Sequence, residues 1–197
     1  MRFAFAVFSL LALAVFPSVG CTTEDPIPPY ANVAYHVRCL QSCTGSPDGA
    51  PREITRLDGE EGFNIRCQVG TNRNGNRRLS LEARCNGQGP CGDSRYGIML
   101  QGIDPDRDDG RPGDECAVTV YEGGNVYESG CTGGVLDATH RCYVTTEIDT
   151  ENAEIAGTLR CADISVVGAP ELTRHVVTPN GASQDTAQYL AIGCTGL

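Results

Sequence analysis

The sequence predicts an all-β protein that forms a single disulfide-rich antiparallel β-sandwich, with a β-barrel as the alternative. Apolar and polar residues alternate with a period of two along many short segments, which is typical of half-buried strands. Glycine-rich turns separate these segments, and no segment carries the longer period of an amphipathic helix. The chain also holds 11 cysteines in 197 residues, a content typical of exported domains that disulfides stabilise.

Each predicted strand places apolar side chains on one face and polar side chains on the other. In the first strand, Val33 and Tyr35 share a face that His36 does not join. The same alternation predicts strands at residues 33–39, 63–69, 79–85, 96–103, 116–122, 142–148, 155–161 and 189–194. The pairs Asn74-Gly75 and Gly123-Gly124 predict hairpin turns. Short strands without crossover helices favour antiparallel pairing.

The cysteines are expected to stabilise a core that is poor in aromatic side chains. Phe63 is the only phenylalanine after residue 16, and the chain has no tryptophan, so large aromatic residues contribute little burial. Two local disulfides are predicted across glycine-rich connections, Cys85 with Cys91 and Cys131 with Cys142. No two cysteines have the C-x-x-C spacing, so a zinc ribbon is not indicated. The cysteines predicted to form disulfides are Cys39, Cys43, Cys67, Cys85, Cys91, Cys116, Cys131, Cys142, Cys161 and Cys194.

The first twenty residues have the parts of an export signal. Arg2 supplies a positive charge, residues 3–16 form an uninterrupted apolar run, and the small residues Ser18 and Gly20 follow. This run is 14 residues long, whereas a membrane-spanning helix needs about 20. Residues 1–20 are therefore predicted to be a signal peptide and not a spanning anchor.

The segment Ser18-Val19-Gly20-Cys21 resembles the lipobox of bacterial lipoproteins. The resemblance implies that the thiol of Cys21 receives a diacylglycerol and that the signal is cut just before it. It also implies that the new amino group is acylated, as by palmitate. A lipid on Cys21 would leave ten cysteines, an even number that can pair completely. The alternatives are an ordinary secretory cleavage after Gly20 and a disulfide at Cys21.

Residues 21–32 are predicted to be a lipid-anchored, proline-rich tether, and residues 33–197 the β-sandwich domain. Pro26, Pro28 and Pro29 favour extended polyproline geometry, which would hold the domain away from a lipid surface. In general character the rest of the chain resembles uncharacterised envelope lipoproteins. The predicted location is the cell envelope, at the outer membrane or the cell surface.

The charge of the chain limits the classes of partner. Its formal net charge of −10 argues against nucleic acid and against an anionic membrane surface. Membrane contact is expected through the lipid anchor only, and the partner is expected in the envelope or outside the cell. A basic hairpin tip is formed by Arg73, Arg77 and Arg78. We interpret it as a soluble, aggregation-resistant turn, in preference to a site for an anionic partner. Tyr121 and Tyr143 lie out of phase with the core positions and are predicted to face outward, a weak signal for sugar binding.

Catalytic motifs are not evident in the sequence. Gly92-Asp93-Ser94 and Thr139-His140 invite comparison with chymotrypsin-like proteases, but Ser94 precedes His140, the reverse of that family's order. His36, His140 and His175 are interpreted as solvent-exposed. The chain is therefore predicted to be a non-catalytic protein with a binding or structural role. A hydrolase that uses carboxylate acid/base chemistry is the alternative.

An acidic loop at residues 104–115 is the strongest candidate for a metal site. It holds six carboxylates in twelve residues, and calcium takes six to eight oxygen ligands. The glycine and apolar positions of an EF-hand are absent, so the loop predicts at most an irregular calcium site, as in a calcium-dependent surface adhesion module. The other interpretation is a solvated acidic connection with no cofactor. The candidate ligands are Asp104, Asp106, Asp108 and Glu115.

Overall fold

The computed structural model describes residues 28–39, 49–60, 62–87, 89–92, 94–105, 115–179 and 186–197. These residues form eleven strands and a short 3-10 turn at Gly89–Cys91, which confirms the prediction of an all-β protein. The strands are β1 Tyr30–Arg38, β2 Arg52–Leu57, β3 Phe63–Thr71, β4 Arg77–Asn86, β5 Arg95–Ile103, β6 Ala117–Glu122, β7 Asn125–Thr132, β8 Cys142–Asp149, β9 Glu154–Val166, β10 Ala169–Val177 and β11 Ala187–Ile192.

All eleven strands belong to one hydrogen-bonded sheet. The order across it is β10-β1-β11-β9-β8-β7-β6-β5-β4-β3, and β2 pairs with β1. Neighbouring strands are antiparallel, as predicted, except that β7 and β8 run parallel where Cys131 lies beside Cys142. The sheet is therefore mixed, and its one parallel pair among these strands was not predicted.

Strands β10 and β11 lie end to end between β1 and β9. Residues 30–34 of β1 pair with β11, and residues 36–38 of β1 pair with β10. On the other side, β9 makes the same division, since its first half pairs with β11 and its second half with β10. The 13 residues of β9 are thereby long enough to border both strands.

The predicted hairpins are present. Between β3 and β4 the chain turns at Asn72–Asn76, where the Asn72 amide donates to Asn76 O at 2.9 Å. Between β6 and β7 it turns at Gly123-Gly124, with Glu122 facing Asn125. Both turns place glycine in the left-handed region, with φ of 82° at Gly75 and 57° at Gly123, as tight hairpins require.

Three strands were not predicted from the alternation. In β2 only Ile54 is buried, and β7 mixes glycine and polar residues with its buried positions. In β10 the register against β9 shifts twice, which breaks the period of two. The boundary between tether and domain also differs from the prediction. Strand β1 begins at Tyr30, so residues 30–32, which were predicted to end the tether, belong to the sheet.

The core is formed by the apolar faces that the alternation predicted, and the sheet folds onto itself to bury them. Val33 and Tyr35 of β1 are 1% and 0% exposed, as are Leu79 and Leu81 of β4 at 0%. The Tyr35 hydroxyl reaches across the core and donates to the carbonyl of Tyr121 on β6 at 3.1 Å. One continuous sheet folded face to face in this way is common to a sandwich and to the barrel alternative.

Disulfides connect distant parts of this sheet. The structure joins Cys85 to Cys91, the predicted local pairing. The predicted pairing of Cys131 with Cys142 is wrong, because Cys131 bonds to Cys116 and Cys142 to Cys161. Cys39 is also disulfide-bonded, and Cys43 lies outside the described residues. The remaining bridge joins Cys67 to Cys194.

The wrong pairing has a geometric reason. The local pairing assumed that Cys131 lies in a glycine-rich connection. In the structure it is buried on β7, directly beside Cys142 of the parallel strand β8. Cys142 also faces Cys161 across the antiparallel pair of β8 and β9, and that cysteine is its bonding partner. Nearness along the chain was therefore a poor guide, because the sheet places two candidate partners next to Cys142.

Among the described residues there is no helix of the length and apolarity that crossing a membrane requires.

Candidate functional site

A buried ion pair closes one end of the core. Glu122, the last residue of β6, is 7% exposed, and Arg52 begins β2. The guanidinium of Arg52 donates from Nε to both carboxylate oxygens of Glu122, at 3.1 and 3.0 Å, and from Nη2 to Oε1 at 2.5 Å. A bidentate pair of this kind has the strong geometry of charge-assisted hydrogen bonds. It joins two strands that are far apart in the order of the sheet.

Aromatic rings surround this pair. The Arg52 guanidinium lies 4.5 Å from the centre of the Tyr96 ring, a cation–π contact. Burial raises the pKa of Tyr35 well above its ordinary value, and the nearby charge of Glu122 raises it further. Tyr35 therefore stays neutral and serves as a hydrogen-bond donor. A methyl group on Gly49 would lie 2.9 Å from Cγ of Glu122, so the cluster is also closely covered. Closed in this way, the cluster stabilises the fold and leaves little room for a substrate.

A groove of about 270 Å³ lies on the outer face of β4, β5 and β6. Arg84 of β4 and Tyr121 of β6 both face Gly97 of β5 in the register of the sheet. The glycine has no side chain, so the Arg84 guanidinium reaches over it to lie 5.0 Å from the centre of the Tyr121 ring. The residues that line the groove are Arg84, Asn86, Arg95, Tyr121, Gly124, Asn125 and Val126.

Gly97 allows the contact between Arg84 and Tyr121. A Cβ atom at this position would lie 2.4 Å from the carbonyl oxygen of Ala83 and 2.6 Å from Cα of Arg84. These are backbone atoms that cannot move aside without disturbing β4. The position therefore requires glycine, and no side chain at this row of β5 separates Arg84 from Tyr121.

A second depression, of about 480 Å³, lies on the outer face of β1, β11, β9 and β8. Small side chains such as Ala34, Ala156 and Thr158 line it, together with one carboxylate, Glu147. Beneath it, Tyr189 is buried and its hydroxyl donates to the carbonyl of Thr145 at 2.7 Å. The described residues of its lining include no arginine or histidine, and the single acid among them does not form a catalytic pair.

The two described acids of the predicted calcium loop face a cation that belongs to the chain. Arg78 of β4 places Nη1 3.5 Å from Oδ2 of Asp104 and Nε 3.8 Å from Oε2 of Glu115. Asn72 also donates to Glu115 at 2.8 Å. The other two candidate ligands, Asp106 and Asp108, lie outside the described residues, and no group of three metal-binding side chains occurs within them.

We expect the melting temperature of the protein to be the same in millimolar calcium and in chelator. The Arg78 guanidinium already supplies positive charge to Asp104 and Glu115, which reduces the repulsion that a calcium ion would relieve. An ion bound at a hundredfold excess over its dissociation constant would instead stabilise the fold by about 2.7 kcal/mol. Thermal melts at low ionic strength measure the difference, with magnesium as the control for charge screening. A rise with calcium alone would contradict this expectation and restore the four-carboxylate site.

The histidines are more engaged than predicted. His36 is half-buried and places Nε2 2.7 Å from the carbonyl oxygen of Gly49 and Nδ1 3.2 Å from that of Pro179. The His175 side chain is 13% exposed, with Nε2 3.3 Å from Asp163. The interpretation of both as solvent-exposed is therefore wrong.

Ser94 and His140 lie near opposite ends of β6. His140 bonds to Asp137 within its own turn, where hydrogen bonds from His140 and Thr139 lower the pKa of the Asp137 carboxyl. That turn contacts Gly130, which pairs with the first residue of β6, whereas Ser94 precedes β5 beside the last residue of β6. The structure does not bring the two residues together as a nucleophile and its base.

Two of the three arginines of the basic hairpin tip bind other residues of the fold. Arg77 donates to the carbonyl of Gly196 at 2.7 Å, and Arg78 pairs with Asp104 and Glu115. Arg73 is exposed at the tip. Of the two tyrosines that were predicted to face outward, Tyr121 and Tyr143 are each half-buried.

Of the residues that line the groove, sequence reasoning named only Tyr121, as an outward aromatic and a weak signal for sugar binding. It identified neither Arg84 nor the buried pair of Arg52 and Glu122. A glycine inside an alternating strand, as at Gly97, is the one signal that could have indicated the groove, because such a glycine often marks a close approach.

Comparison of the chain with protein-family models, curated proteins and solved structures finds no match.

Proposed function

We propose that the chain is an exported, lipid-anchored binding module of the bacterial cell envelope. The cysteine pairing is the observation that supports it. Four disulfides lie among the described residues, and disulfides of this density form in oxidising compartments outside the cytoplasm. An exported location agrees with the signal peptide expected at residues 1–20.

The cysteine count supports an anchor at Cys21. The four bridges use eight cysteines and leave Cys39, Cys43 and Cys21. Cys39 is disulfide-bonded, so one of the other two is its partner. In our proposal that partner is Cys43, four residues away, and Cys21 carries the lipid. Residues 21–29 then form the tether, because β1 begins at Tyr30.

A binding role is favoured over a hydrolytic one by where the acids lie. Carboxylate catalysis needs two acids that face one substrate across several ångströms. In the two depressions, the described lining residues include arginines and asparagines but no acid in the first, and one acid, Glu147, in the second. The buried carboxylate of Glu122 is neutralised by its ion pair with Arg52.

We expect the mature protein to partition into detergent, with Cys21 at its amino terminus. Intact mass should exceed that of residues 21–197 by one diacylglycerol and one fatty acyl chain. Cys21→Ser should leave the protein unprocessed, because the thiol is the site of modification.

The matched control for this experiment is Cys43→Ser, which changes the other candidate partner of Cys39. It should keep the lipid mass and expose one free thiol, at Cys39. A free thiol at Cys21 in the wild-type protein, or peptide mapping that joins Cys21 to Cys39, would end the proposal of a lipid anchor.

A further inference from the structure

We propose that the groove lined by Arg84, Arg95 and Tyr121 binds an acidic sugar residue, one that carries a ring carboxylate beside its hydroxyl groups. This assigns a ligand class to the binding role proposed above and rests on it. The groove lies on the outer face of β4, β5 and β6, and it does not include the tether.

Charge is the first argument. The chain has a formal net charge of −10, yet the described residues that line this groove include two arginines, Arg84 and Arg95, and no carboxylate. Arg95 is exposed and makes no ion pair with a described residue. A cationic depression on an anionic protein concentrates anions locally, and paired arginines suit the planar carboxylate group.

The state of Arg84 is the second argument. Its Nη2 lies 3.3 Å from Oε1 of Glu82, which partly neutralises it. Its Nε is buried and has no hydrogen-bond acceptor. Buried donors are normally satisfied, and each one left without an acceptor costs free energy. The Arg84 side chain as a whole is 32% exposed, so a ligand carboxylate in the groove can accept hydrogen bonds from the accessible part of the guanidinium and offset that cost. Because Tyr121 holds the guanidinium from one side, little side-chain entropy is lost on binding.

The remaining lining suits a sugar. Asn86 is exposed where it lines the groove, and its amide can donate to one hydroxyl and accept from another. Tyr121 and Val126 offer apolar surface on the opposite wall, where the C–H groups of a sugar ring can pack. The volume of about 270 Å³ lies just below the range of sites for drug-sized molecules, roughly 300 to 1,000 Å³. A single ring with its substituents is the appropriate size. Acidic polysaccharide is also a polymer that an exported protein can meet.

The experiment is a calorimetric titration of the full mature protein, in detergent, with glucuronate. Glucose is the neutral match, N-acetylglutamate is the carboxylate without a sugar ring, and inorganic phosphate is the plain anion. We expect glucuronate to bind at least about tenfold more tightly than any of the three, because only it uses both the arginines and the Asn86 amide.

Arg95→Gln is the variant for the groove, since the side chain is exposed and its loss does not disturb the core. It should weaken glucuronate binding by about tenfold or more. Arg73→Gln is the matched control. It removes the same charge at the tip of the β3–β4 hairpin, beyond the opposite end of β4, and should leave binding unchanged.

Several results would overturn the inference. If glucuronate does not bind, or if glucose binds equally well, the groove is not an acidic-sugar site. If N-acetylglutamate or phosphate binds as tightly, the ligand class is wrong. If Arg73→Gln weakens binding as much as Arg95→Gln, or if Arg95→Gln has no effect, the anion binds elsewhere. Failure here leaves the lipid mass and detergent partition unaffected, so it is distinct from failure of the anchor.

Discussion

Replacing Cys67 and Cys194 together by alanine should lower the free energy of unfolding by about 5 kcal/mol. The two cysteines are 127 residues apart in the sequence, so their bridge removes a large amount of entropy from the unfolded chain. The double variant Cys85→Ala/Cys91→Ala makes the same chemical change, but its loop spans only 6 residues. For that variant the same relation gives a loss of about 2 kcal/mol.

The long bridge also holds the last residues of the chain against β3. The Thr195 amide donates to the carbonyl of Cys67 at 3.0 Å, and the Val69 amide donates to Thr195 at 2.8 Å. These bonds give the edge strand β3 a second neighbour besides β4. An edge strand that is covered in this way is protected from pairing with other chains. We therefore expect the Cys67→Ala/Cys194→Ala variant also to aggregate more readily.

Reversible denaturant unfolding of the oxidised protein measures both losses, and the slope with denaturant shows whether the unfolded state has expanded. Both pairs of cysteines are buried, so the cost of the cavities that they leave should be similar. Equal losses in the two variants would show that loop length does not determine the stabilisation, and would contradict the prediction.

The alternation of side chains predicted which faces of the strands are buried, because this pattern is local. Val33 and Tyr35 on β1 and Ile65 on β3 are all at most 1% exposed, as their phase predicted. Each needs only the strand on which it lies to point inward, since successive side chains of a strand alternate between the two faces.

Features that depend on register could not be predicted in this way. Cys142 has a cysteine beside it on each of two neighbouring strands, and local spacing favoured the wrong one. Arg84 and Tyr121 meet over Gly97 because three strands align at that row, although the two residues are 37 positions apart. A shift of one residue in either pairing would separate them.

The buried ion pair combines both cases. Glu122 shares the inward face of β6 with Val118 and Val120, so its burial follows from its phase. Its partner Arg52 is 70 residues earlier and begins β2, a strand that the alternation did not predict. The phase of β6 is thus a signal for the burial of Glu122 that the sequence-based prediction did not use, and it carries no information about the partner.

Arg52→Met should lower the free energy of unfolding by about 3–5 kcal/mol, because it leaves the carboxylate of Glu122 buried without a counter-ion. The Glu122 side chain is 8% exposed, and three hydrogen bonds from Arg52 satisfy it. Methionine keeps much of the apolar length of arginine, so the lost term is mainly the charge and its hydrogen bonds. Adding Glu122→Gln to this variant should recover part of the loss, since a neutral amide costs less to bury than an unpaired charge.

The matched control is the surface pair of Arg56 and Glu60, whose side chains are 43% and 45% exposed at a separation of 3.4 Å. Arg56→Met should cost under about 1 kcal/mol, because water screens an exposed pair. Denaturant unfolding of these three variants and of Glu122→Gln alone gives the energies, and the two single variants with the double variant give the coupling between Arg52 and Glu122. If Arg52→Met costs no more than Arg56→Met, the pair at the end of the core is not a buried charge that needs its partner. In the sheet β2 pairs with β1, so a large loss would show that this contact helps to hold β2 against β6.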